Sequence, residues 1–256
     1  MTKWMLKPFY QFLIRNGLIR ENYLGFPIPV GTGVFIFIFT LVFLFLQMPI
    51  LEPTLLILTF VIMLVSAGLG WIDDRFGNHR SKGIKGHFQS FIKRKKITTG
   101  FIKASGGLIM SSFVSFMMHS SIIWFLTGTL FMALMMNFIN LLDLRPGRAI
   151  KMFWLLVIIL FPFLHVKNMV YIWPTVMATI LLYPEDIQGK SMLGDTGSNL
   201  LGAALGFWYL LWVPEIMNLI LLLLLIVVHL YAEKHSISQL IQRNRWLYAF
   251  DQWGRD

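Results

Sequence analysis

Four aspartates stand where apolar stretches end: Asp73 and Asp74 in GWIDDRFG, Asp143 in NFINLLDLRPG, and Asp195 in MLGDTGSN. A carboxylate is costly inside a bilayer, so an acidic residue at the edge of an apolar stretch calls for a functional reason. Gathered on one membrane face, these residues would make a cation-binding cluster. In SMLGDTGSNLLG, Gly194 and Gly197 permit a tight turn about Asp195, and Thr196 and Ser198 are placed to cap the helix that follows. A helix N-terminus beside a carboxylate suits a metal-bound phosphate, the amides drawing the anion and the carboxylate holding the cation. A plain capped helix start, with Asp195 as the cap, is served equally well by the same residues.

The elements that must position these groups follow from composition. The chain has 256 residues, 57% of them hydrophobic and 13% charged. Soluble domains carry about 25% charged residues, so an integral membrane protein is expected, and no polar segment is long enough for a separate soluble domain. Cysteine is absent, which excludes disulfides, zinc–thiolate sites and cysteine nucleophiles. A membrane-crossing helix needs roughly 20 apolar residues. Eight stretches approach this: 28–48, 54–72, 100–118, 121–142, 150–165, 168–184, 198–213 and 215–232. The fifth and sixth are short and contain Pro162 and Pro174, so one broken hairpin is the alternative to two crossings. The predicted fold is all-α, a polytopic membrane bundle of about eight transmembrane helices. Residues 1–24 read as a basic, amphipathic interfacial arm without a cleavage site, 25–232 as the transmembrane domain, and 233–256 as a cytoplasmic amphipathic helix.

Lysine and arginine mark the cytoplasmic side of a membrane protein. With eight spans and both termini cytoplasmic, every lysine and arginine except Lys167 falls on that side. One span more or fewer would scramble the pattern. The net charge of +10 is therefore read as topology, and no nucleic-acid partner is expected. All the aspartate junctions then share the cytoplasmic face of a multi-pass protein of the cytoplasmic membrane. The tail AEKHSISQLIQRNRWLYAFDQWGRD sets Ile237, Leu240, Ile241, Trp246, Leu247 and Phe250 against Lys234, Gln242, Arg243 and Arg245. It reads as a surface helix on the membrane, with a partner-binding helix as the rival.

LGDTGS, preceded by N-x-x-N-x-x-D and by an Asp-Asp pair at the end of an early span, resembles the polyprenyl-phosphate sugar-1-phosphate transferases. That family includes phospho-MurNAc-pentapeptide translocase and the enzymes that start teichoic acid and O-antigen synthesis. The resemblance runs from about Gly25 to about Leu230 and rests on the three motifs occurring together and in order. It implies a cytoplasmic active site, a Mg²⁺ cofactor, a UDP-sugar donor and undecaprenyl phosphate as acceptor, in cell-wall or other envelope glycan synthesis. By position, Asp195 matches the Mg²⁺ ligand. Asp73 and Asp74 match the acidic pair near the lipid phosphate, and Asn137, Asn140 and Asp143 match the central motif. Mg²⁺ is commonly held by one or two carboxylates plus phosphate oxygens, and phosphoryl transfer asks for positioning and charge neutralisation more than covalent work by the protein.

The chain departs from the family where the nucleotide would be read. Pro146 stands in place of a second aspartate of the central motif, and Met192 in place of an aromatic residue that stacks on uracil. A late histidine-rich loop is missing, His229 and His235 lacking its spacing. A non-catalytic homologue that binds polyprenyl-phosphate lipids is the alternative these departures raise. Arg145 and Arg148 flank Pro146-Gly147 and read either as bidentate diphosphate clamps or as partners of Asp143 or of headgroups. In HRSKGIKGHFQSFIKRKKITTGFIK, most lysines read as positive-inside anchors. Arg80, Lys85 and His87 are the candidates for contact with lipid or diphosphate groups. Whether the chain forms a homodimer is left open by the sequence.

Overall fold

The computed structural model describes residues 2–77 and 98–255, and its architecture is all-α apart from one short hairpin. Helix α1 (Thr2–Arg15) leads into strands β1 (Ile19–Glu21) and β2 (Pro27–Pro29), paired antiparallel with Arg20 opposite Ile28. Then come α2 (Gly33–Leu46), α3 (Pro53–Phe76), α4 (Thr99–Met118), α5 (Ile122–Leu142), α6 (Arg148–Leu160), α7 (Met169–Ile187), α8 (Gly194–Trp212) and α9 (Glu215–Lys234). The tail forms two short helices, α10 (Ile237–Arg243) and α11 (Arg245–Gln252), where one helix was expected; Asn244 breaks them and caps the second.

Local chemistry sets the helix boundaries. Glu52 accepts hydrogen bonds from the amides of Thr54 and Leu55, and Pro53 occupies the first position of α3, where a missing N–H does no harm. Thr98 caps α4 through the Phe101 amide. Between α6 and α7, Pro162 lies in a short 3₁₀ turn that ends the first of the two helices.

Helix α8 is the axis of the bundle. Nearly every residue from Gly194 to Tyr209 is buried, with α3 and α5 packed along its two sides and α2 and α6 against it. Helix α4 covers α3 and α5, and α9 lies on α5. The core between them holds Phe131, Met132, Met136, Phe207 and Trp208. Four helices among the described residues, α3, α4, α5 and α9, are long and apolar enough to cross a membrane; α2 is apolar but shorter. Helix α8 falls outside that set because its first turns are polar. Walled in by protein, it has no lipid-facing surface that must be apolar. Large apolar side chains such as Phe45, Ile109, Phe116 and Ile123 are exposed on the outside of the bundle, as lipid-facing residues are.

Candidate functional site

The C-terminal end of α3, the start of α4 and the N-terminus of α8 meet at one end of the bundle. Their approach is close: a Cβ on Gly70 would run into the carbonyl of Asp195. That fit brings the Asp-Asp pair of one motif against the aspartate of another.

The two neighbours of the pair face different ways. Asp74 turns inward, and its side chain is fully buried. One carboxylate oxygen accepts the Asp195 amide at 2.9 Å, and the other accepts the Thr196 amide at 2.9 Å and the Thr196 hydroxyl at 2.6 Å. The cap of α8 is thus a carboxylate from α3, where Thr196 or Ser198 was expected to act. Residue Leu193, at the cap position, offers no side-chain acceptor. A negative charge there is favoured by the helix dipole as well as by the unpaired amides. Gly194 adopts a positive φ of 67°, and a Cβ at that position would sit 2.5 Å from the Asp74 Oδ2. Only glycine lets the two elements close this far.

Asp73 turns the other way, toward the opening. Lys103 Nζ lies 3.0 Å from Asp73 Oδ2 and 3.0 Å from Asp195 Oδ2, so one ammonium bridges the two carboxylates. Arg20, from β1, closes the far side. It donates to the carbonyls of Asp73 at 3.1 Å and Asp74 at 3.4 Å, and its guanidinium stands 3.6 Å from the Asp74 carboxylate. A cation at these last carbonyls of α3 complements the helix dipole.

The central motif lies one layer away. Asn140 accepts a hydrogen bond from the Ser198 hydroxyl at 2.8 Å, tying α5 to the first turn of α8. Asn137 is one turn earlier on α5 and half-buried. Asp143 ends α5 and faces the Gly194 amide. Burial, then the carboxylates of Asp186, Asp74 and Asp195, push its carboxyl well above the ordinary range, and the amide pulls it back only in part. Asp143 and Asp186 sit at the floor of a groove lined also by Asn22, Tyr23, Arg145 and Met192. Asp186 receives the Gly147 amide at 2.8 Å. Arg145 stacks over the Tyr23 ring at 5.1 Å. Met192 contributes backbone: its N–H donates to the Pro29 carbonyl and its carbonyl accepts from Thr32.

Two expectations for basic residues change. Arg148 faces neither Asp143 nor solvent; it is buried in a bidentate pair with Asp251 of the tail, at 2.7 and 2.9 Å. Arg80, Lys85 and His87 lie outside the described residues. Sequence reasoning passed over Lys103, Arg20, Asp186 and Asp251. Lys103 carried a signal, a lysine one turn into an apolar helix, which was absorbed into the count of positive-inside charges. Arg20 and Asp251 carried none, since their partners elsewhere in the bundle, Asp73 and Arg148, lie 53 and 103 residues away.

Neither the protein-family models nor the curated protein sequences compared with this chain match it.

Among the described residues, the donor set suits a divalent cation at one point. Among the described residues, no three His, Cys, Asp or Glu side chains converge. Asp73 and Asp195 do converge, on an ammonium that stands in for a cation. Two carboxylates completed by phosphate oxygens are an ordinary Mg²⁺ environment. Asp74, with both oxygens taken by α8, has none to offer.

Proposed function

We propose that the chain is a Mg²⁺-dependent phosphotransferase that moves a sugar-1-phosphate from a nucleotide sugar, UDP-linked by resemblance, to a polyprenyl phosphate. The reaction belongs to envelope glycan synthesis in the cytoplasmic membrane. The observation that carries this reading is the meeting of Asp73, Asp195 and Lys103, which draws two of the three motifs to a single charged point. Eight helices occupying the eight apolar stretches, together with the distribution of lysine and arginine along the sequence, support eight spans with both termini and the site on the cytoplasmic side.

The roles follow from the chain's own contacts. Asp195 and Asp73 would hold the metal, which when bound neutralises phosphate charge and orients the phosphate oxygens. Asp74 holds the α8 N-terminus and so fixes where Asp195 stands. Lys103 balances the two carboxylates and offers its ammonium to phosphate. Asn140 fixes Ser198 and the first turn of α8. Arg145 and Tyr23 line the groove beside Asp143, where the donor is placed. In the transfer, an oxygen of the lipid phosphate bonds to the sugar-bearing phosphorus as the bond to the nucleoside monophosphate breaks. The acceptor is already anionic at neutral pH, so no strong base is needed.

Purified protein with Mg²⁺, undecaprenyl phosphate and a panel of labelled UDP-sugars should release UMP and form a labelled lipid diphosphate. A folded protein that releases none across the panel would sink the reading. One observation favours the second reading, a non-catalytic binder of polyprenyl-phosphate lipids: Lys103 already occupies the point between the two carboxylates that the metal would take. In that case Asp195→Asn would leave the cellular phenotype intact, whereas loss of the phenotype selects the enzyme.

A further inference from the structure

Helix α6 begins with two cations, Arg148 and Lys151, and has no acidic residue in its first turn. This is the wrong sign for a helix N-terminus, whose dipole disfavours positive charge. Both side chains are also buried, at 6% and 2% exposure. Burial of unpaired charge is strongly unfavourable, so their compensation must come from elsewhere in the fold.

It comes from the tail. Asp251 takes Arg148 in a bidentate pair, and Ser238 accepts from the same guanidinium at 3.0 Å. Lys151 Nζ donates to three backbone carbonyls in turn, those of Phe250 at 2.9 Å, Asp251 at 2.6 Å and Trp253 at 3.0 Å. Arg255 donates to the Pro146 carbonyl at 2.8 Å while pairing with Asp251 through both of its terminal nitrogens at 3.0 Å. Every one of these tail-to-bundle bonds lands between Pro146 and Lys151. That stretch directly follows Asp143 and Arg145 and forms part of the wall of the groove with Tyr23 and Met192. From the other side, Asp186 holds Gly147, whose φ is 71°.

We propose that the segment Ile237–Arg255 is a strap whose Asp251 is a positioning residue, setting the Asp143–Arg148 loop and through it the donor side of the site. The assignment of that side to the donor rests on the transferase reading; the strap itself does not. Arg148 therefore acts on the loop from behind and leaves Arg145 as the loop's arginine facing the groove. Pro146, a departure in the central motif, has its carbonyl taken by Arg255, so the altered loop is held by a contact from the tail.

The chain has no cysteine, which permits a clean test. A spin label on Leu144→Cys, an exposed position, reports loop motion, and one on Val166→Cys at the opposite end of the bundle is the control. Asp251→Asn should mobilise the label at 144 and leave that at 166 unchanged. It should also raise the donor KM at least fivefold while the acceptor KM stays within twofold, a split that general destabilisation would not give. Should Asp251→Asn fail to fold, Arg255→Gln, which removes the Pro146 contact and leaves the Arg148 pair, makes the same measurement with a smaller change. An unchanged label at 144 in the folded variants overturns the strap, and so does a parallel rise of both KM values. The label reads the loop whether or not the protein turns over. A mobilised label in a chain that releases no UMP supports the strap and counts against the transferase reading alone.

Discussion

Two charged clusters lie at the same end of this bundle, and they are closed to different degrees. Around Asp251, the carboxylate is saturated: Arg148 and Arg255 both pair with it, Lys151 takes its backbone carbonyl, and the side chains of Arg148 and Asp251 are each 6% exposed. Around Lys103, one ammonium among the described residues serves two carboxylates, and the three side chains keep 13% to 18% exposure. The residue types are nearly the same in both places. The tail cluster is saturated and cross-links two elements. Among the described residues, the Lys103 cluster has fewer cations than carboxylates and keeps more exposure, which is the condition a metal and a phosphate need. Asp73 and Asp74 repeat the contrast within one dipeptide, one facing the opening and the other spent on the amides of α8.

The largest effect should follow from breaking the open cluster at its centre. Asp195→Asn is expected to lower kcat by about a thousandfold, on the order of 4 kcal/mol of transition-state stabilisation, with the thermal midpoint in detergent nearly unchanged. UMP release and thermal unfolding of the same sample check both halves. The saturated cluster should respond in the opposite sense. Asp251→Asn leaves Arg148 buried without a counter-charge and should cost about 3 kcal/mol of stability. Combining it with Arg148→Met should recover most of that loss, because removing both charges leaves nothing unpaired. A double variant no more stable than the single one would show that the pair is not the source of the effect.

Asp74→Ala should fall between the two classes. It removes a buried cap from α8, which is worth about 2 kcal/mol, and it also loosens Asp195. Stability and kcat should therefore drop together, with the kcat loss well short of that in Asp195→Asn. A variant with full stability and no activity would instead place Asp74 among the groups that touch substrate.

The smallest effects are in pH dependence, and the signs differ between the regions. For Asp251, burial acts against ionisation, but Arg148 and Arg255 hold the carboxyl below its usual range. Its contribution to stability is present above the unfolded value, about 3.9, and is lost as pH falls through the folded value. Asp143 is pushed up, so its contribution is full below about 3.9 and is lost as pH rises through the folded value. Unfolding curves taken across pH should lose their acid-side decline in Asp251→Asn and their decline toward neutral pH in Asp143→Asn. If both substitutions flatten the same side, one of the two directions is wrong.

Much of the frame could be read along the chain. Each of the eight apolar stretches holds a helix, and the runs bounded by Glu52-Pro53 and Thr98 carry their own start signals; α2 begins at Gly33, not 28, and α8 at Gly194, not 198. The meeting of the Asp-Asp and LGDTGS motifs was also legible, since both stand at apolar boundaries on the side marked by basic residues. The hairpin was missed because each strand is three residues long, too short for alternation to show. The roles of Arg20, Arg148 and Asp251 were illegible for another reason: each side chain is defined by a partner far along the chain.

The sequence by itself determined that this protein is an apolar helical bundle with carboxylates at its helix ends. Hydropathy and charge are properties of each residue, and the bilayer reads them locally. Only the tertiary structure decided which carboxylates stay open. Asp73 and Asp74 are adjacent and chemically identical, and no local rule separates them. The close approach of α3 to α8 gives one of them two amides and a hydroxyl, and leaves the other sharing Lys103 with Asp195.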